Sequence, residues 1–248
     1  MEQVAKSGNH ALYETDDVVN KYATVSARVR FLNNAEHDFV SRYQVTSKRV
    51  LVLGSGAGRV PANLFLLNND ITAVEYSEKL HTYALKQFGE RLHGLQFFHG
   101  NAEHLEFLED ASFDVVFFPM NGLDYNVPIE TREAVLKEIS KKLKPDGILA
   151  FTSHNTQGYL SYKAPKKRFP LLKKDFIIEE ENVVGGGVIF KGKPSFVIRQ
   201  AERAAGVKYI GFTADARNWF ERKAARRLKL AQFVFPYLLY VFRKAKAV

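Results

Sequence analysis

The sequence predicts one α/β domain built on a doubly wound, mostly parallel sheet. Short apolar strands alternate with helical segments between residues 49 and 153, a rhythm typical of a sheet covered by helices. The first strand is a continuous apolar run that ends in a glycine cluster, as expected of a strand buried on both faces. The second strand ends in an acidic residue, Glu75. The length of 248 residues fits one domain with additions.

The elements follow one another regularly up to residue 153. Residues 9–46 are predicted to be mostly helical, because their apolar residues recur at three- and four-residue intervals. Helices are then expected after the glycine cluster, with Pro61 tolerated in the first turn, and at 78–88 and 129–143. A Pro-Asp-Gly turn stops the last of these helices. The five predicted strands cover residues 49–54, 71–75, 95–98, 113–118 and 148–153.

After residue 153 the alternation breaks down. The stretch that follows is rich in Lys, Pro and Gly, and a short hairpin is expected around residues 176–190. A helix capped by Gly206, a strand, a basic helix and a last apolar strand then complete the chain. These four elements are predicted at 194–206, 207–212, 218–230 and 237–242. The single domain therefore divides into an N-terminal helical cap (1–46), a core (47–153), an insert (155–193) and a C-terminal part (194–248).

Composition excludes several classes of function and location. The chain has no cysteine, which excludes disulfides, thiolate metal sites and a cysteine nucleophile. No apolar run approaches the ~20 residues that a membrane span needs, and the N-terminus lacks a secretory signal. A cytoplasmic protein is therefore expected. The net charge of +9 is concentrated in residues 163–174 and 217–248, a pattern that favours phosphates, acidic substrates, anionic membranes or simply a solvated face.

The glycine cluster predicts a ligand site. Gly54, Gly56 and Gly58 lie between a strand and a helix, where glycines allow a tight turn and the helix presents free N–H groups. Their spacing differs from the G-x-G-x-x-G of pyrophosphate binders. Glu75 follows Gly54 by 21 residues, at a strand end where an acidic side chain can bind both hydroxyls of a ribose. Together these features indicate a nucleoside-containing ligand.

The chain resembles the class I S-adenosylmethionine-dependent methyltransferases over roughly residues 12–244. Five segments carry the resemblance in the right order, which is far more specific than any one of them. They are the glycine-rich segment 51–59, Glu75 with Tyr76, the Gly-Asn-Ala-Glu segment 100–103, the fourth-strand segment 113–121 and the Leu-Lys-Pro-Asp-Gly-Ile segment 143–148.

This resemblance implies a Rossmann-like, seven-stranded mixed sheet with an antiparallel strand seven, S-adenosylmethionine as cofactor and S-adenosylhomocysteine as product. Two positions depart from the family pattern. Val52 stands where an acid usually helps to hold the cofactor's ammonium group, and Asn101 replaces the usual Asp beside the adenine. The cofactor-binding candidates are Tyr22, Gly54, Ser55, Gly56, Gly58, Glu75, Tyr76, Asn101, Ala102, Glu103 and Pro119.

Three polar residues near the ends of strands four and five are the catalytic candidates. A sulfonium methyl group is already activated, so the enzyme chiefly aligns the acceptor, and a base is needed for a hydroxyl or a protonated amine. His154 is the predicted base because imidazole titrates near neutral pH, although local capping is an alternative role. Asn121 and Asp124 are the other candidates, and Asp124 could equally be a turn residue. Tyr125 and Asn155 are further polar residues expected at these two strand ends. No metal site is predicted.

The predicted acceptor is the oxygen or nitrogen of a small metabolite such as a sugar, a sugar nucleotide or another secondary metabolite. The sequence lacks the Asn/Asp-Pro-Pro-Tyr signature of nucleobase amino methyltransferases, and DNA is not an expected partner. The N-terminal helices and the insert would close the acceptor pocket, and the basic clusters allow an anionic acceptor. Two alternatives stay open: an RNA methyltransferase that holds phosphates with the basic insert and tail, and a cofactor-binding protein without catalysis.

Overall fold

The fold is a central seven-stranded sheet with helices on both faces, accompanied by a separate two-stranded hairpin. It is seen in a computed structural model that describes residue 9 and residues 11–28, 31–89, 91–158, 174–181 and 187–246. The strands are β1 (Arg49–Leu53), β2 (Asp70–Glu75), β3 (Gln96–His99), β4 (Phe113–Phe118), β5 (Leu143–His154), β6 (Phe176–Glu181), β7 (Gly187–Gly192), β8 (Val207–Thr213) and β9 (Tyr237–Lys244).

Eight α-helices of the described chain connect or flank these strands. They are α1 (Asp16–Arg28), α2 (Asn34–Tyr43), α3 (Arg59–Phe65), α4 (Glu78–Ala84), α5 (Ile129–Lys142), α6 (Pro194–Ala205), α7 (Trp219–Ala224) and α8 (Leu228–Val234). A π-helical turn (Leu85–Gly89) extends α4, and a 3₁₀ turn (Gly122–Tyr125) follows β4. None of the helices in the described ranges is long and apolar enough to cross a bilayer.

The strand order in the large sheet is β3-β2-β1-β4-β5-β9-β8. The first five strands are parallel, and β9 lies between β5 and β8, antiparallel to both. The prediction of a mixed sheet with an antiparallel last strand is confirmed. Strands β2 and β3 lie on one side of β1, and the chain then crosses over so that β4 and β5 lie on the other side. Such a reversal opens a crevice at the carboxyl ends of the strands, where ligands bind in this class of fold.

Alternating residues of the sheet build two hydrophobic layers. In β1, Leu51 and Leu53 pack into the layer on one face, which also contains Val135 and Ile139 of α5. The neighbouring β1 residues pack on the opposite face with α2 and α3. All of the β1 residues after Arg49 are fully buried, as the continuous apolar run predicts.

Three predicted element boundaries are corrected by the structure. The basic helix predicted at 218–230 is two short helices, α7 and α8. The break between them allows Ala224 of α7 and Ala231 and Val234 of α8 to pack into the core. Strand β5 begins at Leu143, before the Pro-Asp-Gly turn, and pairs irregularly with β4 there. Helix α4 ends at Ala84 and continues as the π-helical turn.

The hairpin β6–β7 confirms the strand pair predicted at 176–190 and packs beside the carboxyl end of β5. Thr156 N–H donates to the Gly192 carbonyl (3.2 Å), which joins the end of β5 to the end of β7. Asn155 forms an isolated bridge to the same glycine. The insert residues 159–173, including most of the basic cluster, lie outside the described residues, as do residues 1–8 of the predicted cap.

Candidate functional site

A cavity of about 300 Å³ lies at the carboxyl ends of β1, β2, β3 and β4. The N-terminal segment contributes Asn9, Tyr13 and Tyr22 to its walls. One end of the cavity is formed by the glycine turn and the residues after β2 and β3, and the other by the turn after β4 and the N-terminal segment. Its walls contain Asn9, Tyr13, Tyr22, Leu53, Gly54, Gly56, Val74, Glu75, Tyr76, Ser77, Leu80, Gly100, Asn101, Ala102, Glu103, His104, Phe118, Pro119, Met120, Gly122, Tyr125, Asn126, Val127 and Thr131.

The turn after β1 needs glycine for geometric reasons. Gly54 has a φ of 59°, and a Cβ atom there would lie 2.7 Å from the ring of Phe118. Gly58 has a φ of 88° at the N-cap of α3, and a Cβ atom would lie 2.7 Å from the ring of Phe88. Both residues adopt the left-handed conformation that side chains disfavour. The backbone can therefore pass close to a ligand at this end of the cavity.

Glu75 is held rigidly at the floor of the cavity. Its carboxylate accepts hydrogen bonds from the backbone N–H groups of Gly56 (2.6 Å, Oε2) and Ser77 (2.9 Å, Oε1). The residue is only 6% exposed, and this burial raises the pKa of Glu75, while the backbone donors counteract the shift. A buried carboxylate with unused lone pairs fits the two hydroxyls of a ribose.

The segment after β3 forms the adjoining wall. The side-chain oxygen of Asn101 accepts from the backbone N–H of Glu103 (3.0 Å), a turn that fixes the loop. Tyr76 is 46% exposed beside it, and His99 Nε2 lies 3.0 Å from the Tyr76 carbonyl. The glycine turn, Glu75 and this polar wall lie side by side along the cavity and offer polar groups that suit an adenosine group.

The opposite end of the cavity is assembled from segments far apart in the sequence. Asn9 donates to the carbonyls of Tyr125 (2.9 Å) and Val188 (2.8 Å) and accepts from the Val188 N–H (2.8 Å). It thereby joins the N-terminal segment to the 3₁₀ turn and to β7. Ser77 Oγ donates to the Tyr13 carbonyl (2.9 Å), which anchors the same segment beside β2. The N-terminal segment therefore spans the cavity from one side to the other.

Tyr13 and Tyr125 line this end of the cavity, and Tyr22 next to Tyr13 reaches Gly56 of the glycine turn. The ring centroids of Tyr13 and Tyr125 lie 5.4 Å apart in an edge-on arrangement, and those of Tyr13 and Tyr22 lie 5.8 Å apart. Burial raises the pKa of Tyr13 well above its usual range, and the neighbouring Tyr22 and Tyr125 raise it further. The hydroxyl of Tyr13 therefore stays neutral at physiological pH. No charged side chain lines this end of the cavity within the described part of the chain.

The turn after β4 adopts a rare backbone conformation. Met120 (φ 53°) and Asn121 (φ 60°) are consecutive left-handed residues, each carrying a side chain. Gly122 N–H donates to the Pro119 carbonyl (3.1 Å) and closes the turn. Asn121 Oδ1 is buried without a hydrogen-bond partner among the described residues, although the residue as a whole is partly exposed. The turn places Pro119 and Met120 directly in the cavity wall.

Behind this turn lies a buried charged cluster. Asp124 and Arg132 are both fully buried and form an ion pair with a separation of 2.6 Å. Asp124 also accepts from Ser153 Oγ (2.7 Å), from the His154 backbone N–H (2.7 Å) and from His154 Nδ1 (2.7 Å). Burial lowers the pKa of Arg132, and the Asp124 carboxylate partly offsets this shift. The cluster fastens the 3₁₀ turn to the end of β5.

Aromatic rings and a glutamine complete the surroundings of Arg132. Its guanidinium lies 4.3 Å from the ring centroid of Phe190 in β7 and 5.7 Å from that of Phe151 in β5. Arg132 Nε donates to Gln200 Oε1 (3.0 Å) in α6. The arginine therefore connects α5, α6, β5 and β7 behind the cavity, with every contact made away from water.

Most of the predicted cofactor-binding residues lie in the cavity wall. Nine of the eleven line it; Ser55 and Gly58 do not, although both belong to the glycine turn. Val52 is fully buried and packs into the opposite face of the sheet, so it supplies no group to the cavity.

The three predicted catalytic residues lie behind this wall. Asn121 lies between two lining residues without lining the cavity itself. Asp124 is fully buried and His154 is 4% exposed, so neither side chain is presented to the cavity in the described structure. The ring of His154 packs edge-on against Tyr237, with a centroid distance of 4.9 Å.

Three important residues, Asn9, Tyr13 and Arg132, were not predicted from the sequence. Asn9 and Tyr13 belong to segments without a recognisable motif, and only the folded chain brings them to Tyr125, which was a polar candidate after the fourth strand. Arg132 carried a usable signal, because it precedes Val135, Leu136 and Ile139 at the helical spacing of a buried face. A basic residue in such a stripe must find a buried partner.

Among the described residues, no group of three His, Asp or Glu side chains could hold a metal ion.

Comparison with known proteins agrees with this geometry. Residues 51–151 match the family model described as a methyltransferase domain. No curated protein matches the sequence significantly. Among solved structures, the chain is similar to the CcbJ methyltransferase from Streptomyces caelestis, with a TM-score of 0.61, 18% identity and coverage of 85% of this chain and 88% of that one. It is also similar to an S-adenosylmethionine-dependent methyltransferase from Clostridium acetobutylicum, with a TM-score of 0.63, 13% identity and coverage of 91% and 98%.

A third similar structure contains ligands. It is the 1,6-didemethyltoxoflavin N1-methyltransferase of Burkholderia thailandensis with bound 1,6-didemethyltoxoflavin and S-adenosylhomocysteine. The TM-score is 0.59 at 14% identity, and the alignment covers 98% of this chain and 85% of that one.

Proposed function

We infer that this chain, a class I S-adenosylmethionine-dependent methyltransferase, methylates an oxygen or nitrogen atom of a small metabolite whose reacting end is uncharged. The observation that carries this proposal is the composition of the cavity beyond the cofactor side. Its walls there are tyrosine, asparagine, threonine and apolar side chains, with no charged group among the described residues. Neutral hydroxyl and amide groups suit a neutral acceptor, because an unpaired charge is costly to bury.

The cofactor supplies an activated methyl group when it is bound. The chain's own residues hold the two reactants and keep water away from them. Glu75 and the glycine turn would hold the ribose, while Pro119 and Met120 form the wall where strand β4 meets the acceptor side. Orientation of this kind can contribute several kcal/mol to catalysis, on the order of 7–11 kcal/mol in the best cases.

The enclosed cavity favours a small acceptor over a polymer. The segment containing Asn9 and Tyr13 is hydrogen-bonded to both sides of the cavity and covers it. The cavity of about 300 Å³ includes the cofactor side, so only part of this volume is left for the acceptor. A sugar, a sugar nucleotide entering with its sugar first, or a small secondary metabolite fits this description. The Burkholderia thailandensis neighbour, whose structure contains a small heteroaromatic molecule, supports the same size class.

His154 is the proposed base if the acceptor is a hydroxyl. Its support is the contact of Nδ1 with Asp124, which fixes the ring and places the imidazole proton on Nδ1, because a carboxylate accepts it there. In this role the other ring nitrogen, Nε2, would accept the proton of the acceptor. Because His154 is buried at the end of β5, this role requires the acceptor proton to reach it at that strand end.

The proposal is tested by measuring S-adenosylhomocysteine release with fractionated metabolite extracts. Extracts are separated into neutral, anionic and cationic small-molecule fractions and a macromolecular fraction. The proposal expects turnover in the neutral fraction, or in the anionic fraction for a sugar nucleotide. Tyr125→Ala, which opens the acceptor end, should reduce this turnover without reducing cofactor affinity. Turnover in the macromolecular fraction alone would contradict the proposal.

RNA is the second candidate acceptor, and one observation favours it. Exposed basic residues are concentrated in α7 and α8, next to the end of β5. Such a surface could hold phosphates outside the cavity while one nucleotide enters it. Turnover with purified total RNA, abolished by ribonuclease and steeply reduced by salt, would establish this alternative.

A further inference from the structure

Helices α7 and α8 leave three large apolar side chains exposed to solvent, while their alanines and Val234 are buried. Ala224, Ala225 and Ala231 are at most 6% exposed and pack into the core. By contrast, Trp219 is 74% exposed and Phe220 is 59% exposed. Leu230 is 50% exposed. A surface helix normally turns its bulky apolar residues inward, so this reversed arrangement indicates a surface that is covered by something else.

The same residues lie among exposed cations. Arg222, Lys223, Arg226, Arg227 and Lys229 are all exposed. Lys223 lies over the Trp219 ring with a centroid distance of 5.0 Å. The other four cations form no ion pair with a described residue, whereas the preceding Arg217 is paired with Asp215 (2.9 Å). We call residues 217–230 the basic–aromatic surface.

We propose that the basic–aromatic surface docks on an anionic lipid bilayer. Trp219, Phe220 and Leu230 would enter the boundary between headgroups and acyl chains, and the unpaired cations would contact lipid phosphates. The exposed aliphatic side chain of Leu230 favours a bilayer over single-stranded RNA as the partner, because leucine has no ring face on which a base can stack. Charge alone would suit either polyanion, whereas burial of apolar side chains suits the lipid.

The surface is fixed to the end of the sheet that contains the cavity. Asn155, directly after β5, donates its side-chain amide to the carbonyls of Gln232 (2.7 Å) and Phe235 (2.9 Å) at the end of α8. The Asn155 N–H also donates to the Pro236 carbonyl (2.8 Å). Docking would therefore hold the carboxyl ends of the parallel strands near the bilayer, and acceptors that partition into lipid would reach the enzyme there. The docking itself does not rest on the proposed methyl transfer.

Trp219 provides the test, because it is the chain's single tryptophan. Its fluorescence reports on this surface alone. The purified protein is mixed with phosphatidylcholine vesicles with and without phosphatidylglycerol, and both the emission maximum and vesicle co-sedimentation are measured. The proposal expects co-sedimentation and a blue-shifted emission only with phosphatidylglycerol, since entry of the indole into the bilayer removes it from water.

Variants separate insertion from simple charge attraction. Phe220→Ser combined with Leu230→Ser should weaken partitioning by at least about tenfold through lost apolar burial. Arg226→Gln combined with Arg227→Gln should weaken it about thirtyfold, at roughly fivefold for each cation lost near an anionic surface. The matched control Lys86→Gln with Lys208→Gln removes the same charge from exposed positions elsewhere and should have a small effect.

Three outcomes would overturn the proposal. The first is no binding to anionic vesicles. The second is adsorption through net charge alone. It would appear as vesicle binding without a blue shift of the Trp219 emission, or as a loss of vesicle binding in the Lys86/Lys208 control equal to that in the Arg226/Arg227 variant. The third is tight binding to purified RNA with Trp219 quenching and no vesicle binding, which would assign the surface to nucleic acid. Cofactor binding by each variant, measured in parallel, verifies that the variant is folded.

Discussion

The two ends of the cavity are built in different ways. The cofactor end consists of turns after consecutive strands β1, β2 and β3, where backbone groups and one carboxylate, Glu75, supply the polar contacts. The proposed acceptor end combines the N-terminal segment with the 3₁₀ turn after β4, and Asn9 ties both to the hairpin strand β7. The first depends on local backbone geometry. The second depends on tertiary contacts between residues more than a hundred positions apart.

This difference indicates where stability and specificity reside. The acceptor end has no motif to hold its shape, and its support is the buried cluster of Asp124, Arg132 and His154 behind it. The cofactor end needs no such support, because its glycine turn is formed within a few residues of β1. Substitutions should therefore have their largest effects on stability behind the acceptor end and on cofactor affinity at the other end.

The largest expected effect is that of Arg132→Met. This change leaves the Asp124 carboxylate buried without its cation, and breaking a buried ion pair typically costs about 3–5 kcal/mol. The free energy of unfolding, measured with urea, should fall by that amount. The matched control is Arg203→Met, which breaks the exposed pair with Glu133 and should cost at most about 1 kcal/mol. Equal losses in the two variants would show that the buried cluster is not the special support described above.

The second prediction separates the two possible roles of His154. His154→Ala removes both ring nitrogens, whereas His154→Asn retains an N–H donor near the Nδ1 position facing Asp124. If His154 is the base for a hydroxyl acceptor, both variants should lower kcat by about 10²–10⁴-fold with unchanged cofactor affinity. A near-normal kcat for His154→Asn would show that the histidine is a scaffold residue. The measurement is steady-state turnover with the acceptor found in the extract screen.

The third prediction concerns pH and the cofactor end. Burial raises the pKa of Glu75, so this carboxyl takes up a proton at higher pH than an ordinary glutamic acid. The ionised form is the better acceptor for ribose hydroxyls. Affinity for S-adenosylhomocysteine should therefore be full above the raised pKa and should decrease as the pH falls through it. In Glu75→Gln this dependence should disappear; if the variant keeps the pH dependence of the wild type, another group causes it.

A smaller effect is expected from Asn9→Ala at the acceptor end. The variant loses three hydrogen bonds that join the N-terminal segment to Tyr125 and Val188. We expect the KM of the acceptor to rise by roughly five- to thirtyfold, about 1–2 kcal/mol, because the cover is no longer fixed. Asn34→Ala is the control, since its amide donates to Ala216 away from the cavity. If Asn9→Ala instead raises the Kd of the cofactor and leaves the KM of the acceptor unchanged, Asn9 supports the cofactor end and the assignment of the two ends is wrong.

The sequence was sufficient for the fold, and most of the proposed cofactor-binding residues lie together in one cavity wall, because both the strands and the glycine turn have local signatures. Strand β4 was predicted at its observed residues, because the apolar run 113–118 is bounded by polar and turn residues. Gly54 and Glu75 were identified from strand ends and spacing alone. Strand β5 was harder, because its first residues pair with β4 before the Pro-Asp-Gly turn, which reads locally as a stop signal.

The acceptor end could not be predicted in this way. Tyr125 was recognised only as a polar residue after the fourth strand, and its contact with Tyr13, more than a hundred residues away, follows no sequence pattern. Asp124 was recognised as a polar residue after β4, but its full burial depends on Arg132 and on the covering hairpin. Burial of a charged pair is a property of the tertiary structure, so the sequence alone could not separate a cavity-lining carboxylate from one behind the wall.

The central claim is that the cavity is a cofactor site built around Glu75, and calorimetric titration with S-adenosylhomocysteine tests it most directly. The wild-type protein, Glu75→Ala and the control Glu78→Ala, which changes an exposed residue three positions later, are compared at neutral pH. We predict one binding site per chain in the wild type and the control, and affinity weakened by about 1–3 kcal/mol in Glu75→Ala. No binding by the wild type, or unchanged affinity in Glu75→Ala, would contradict the account.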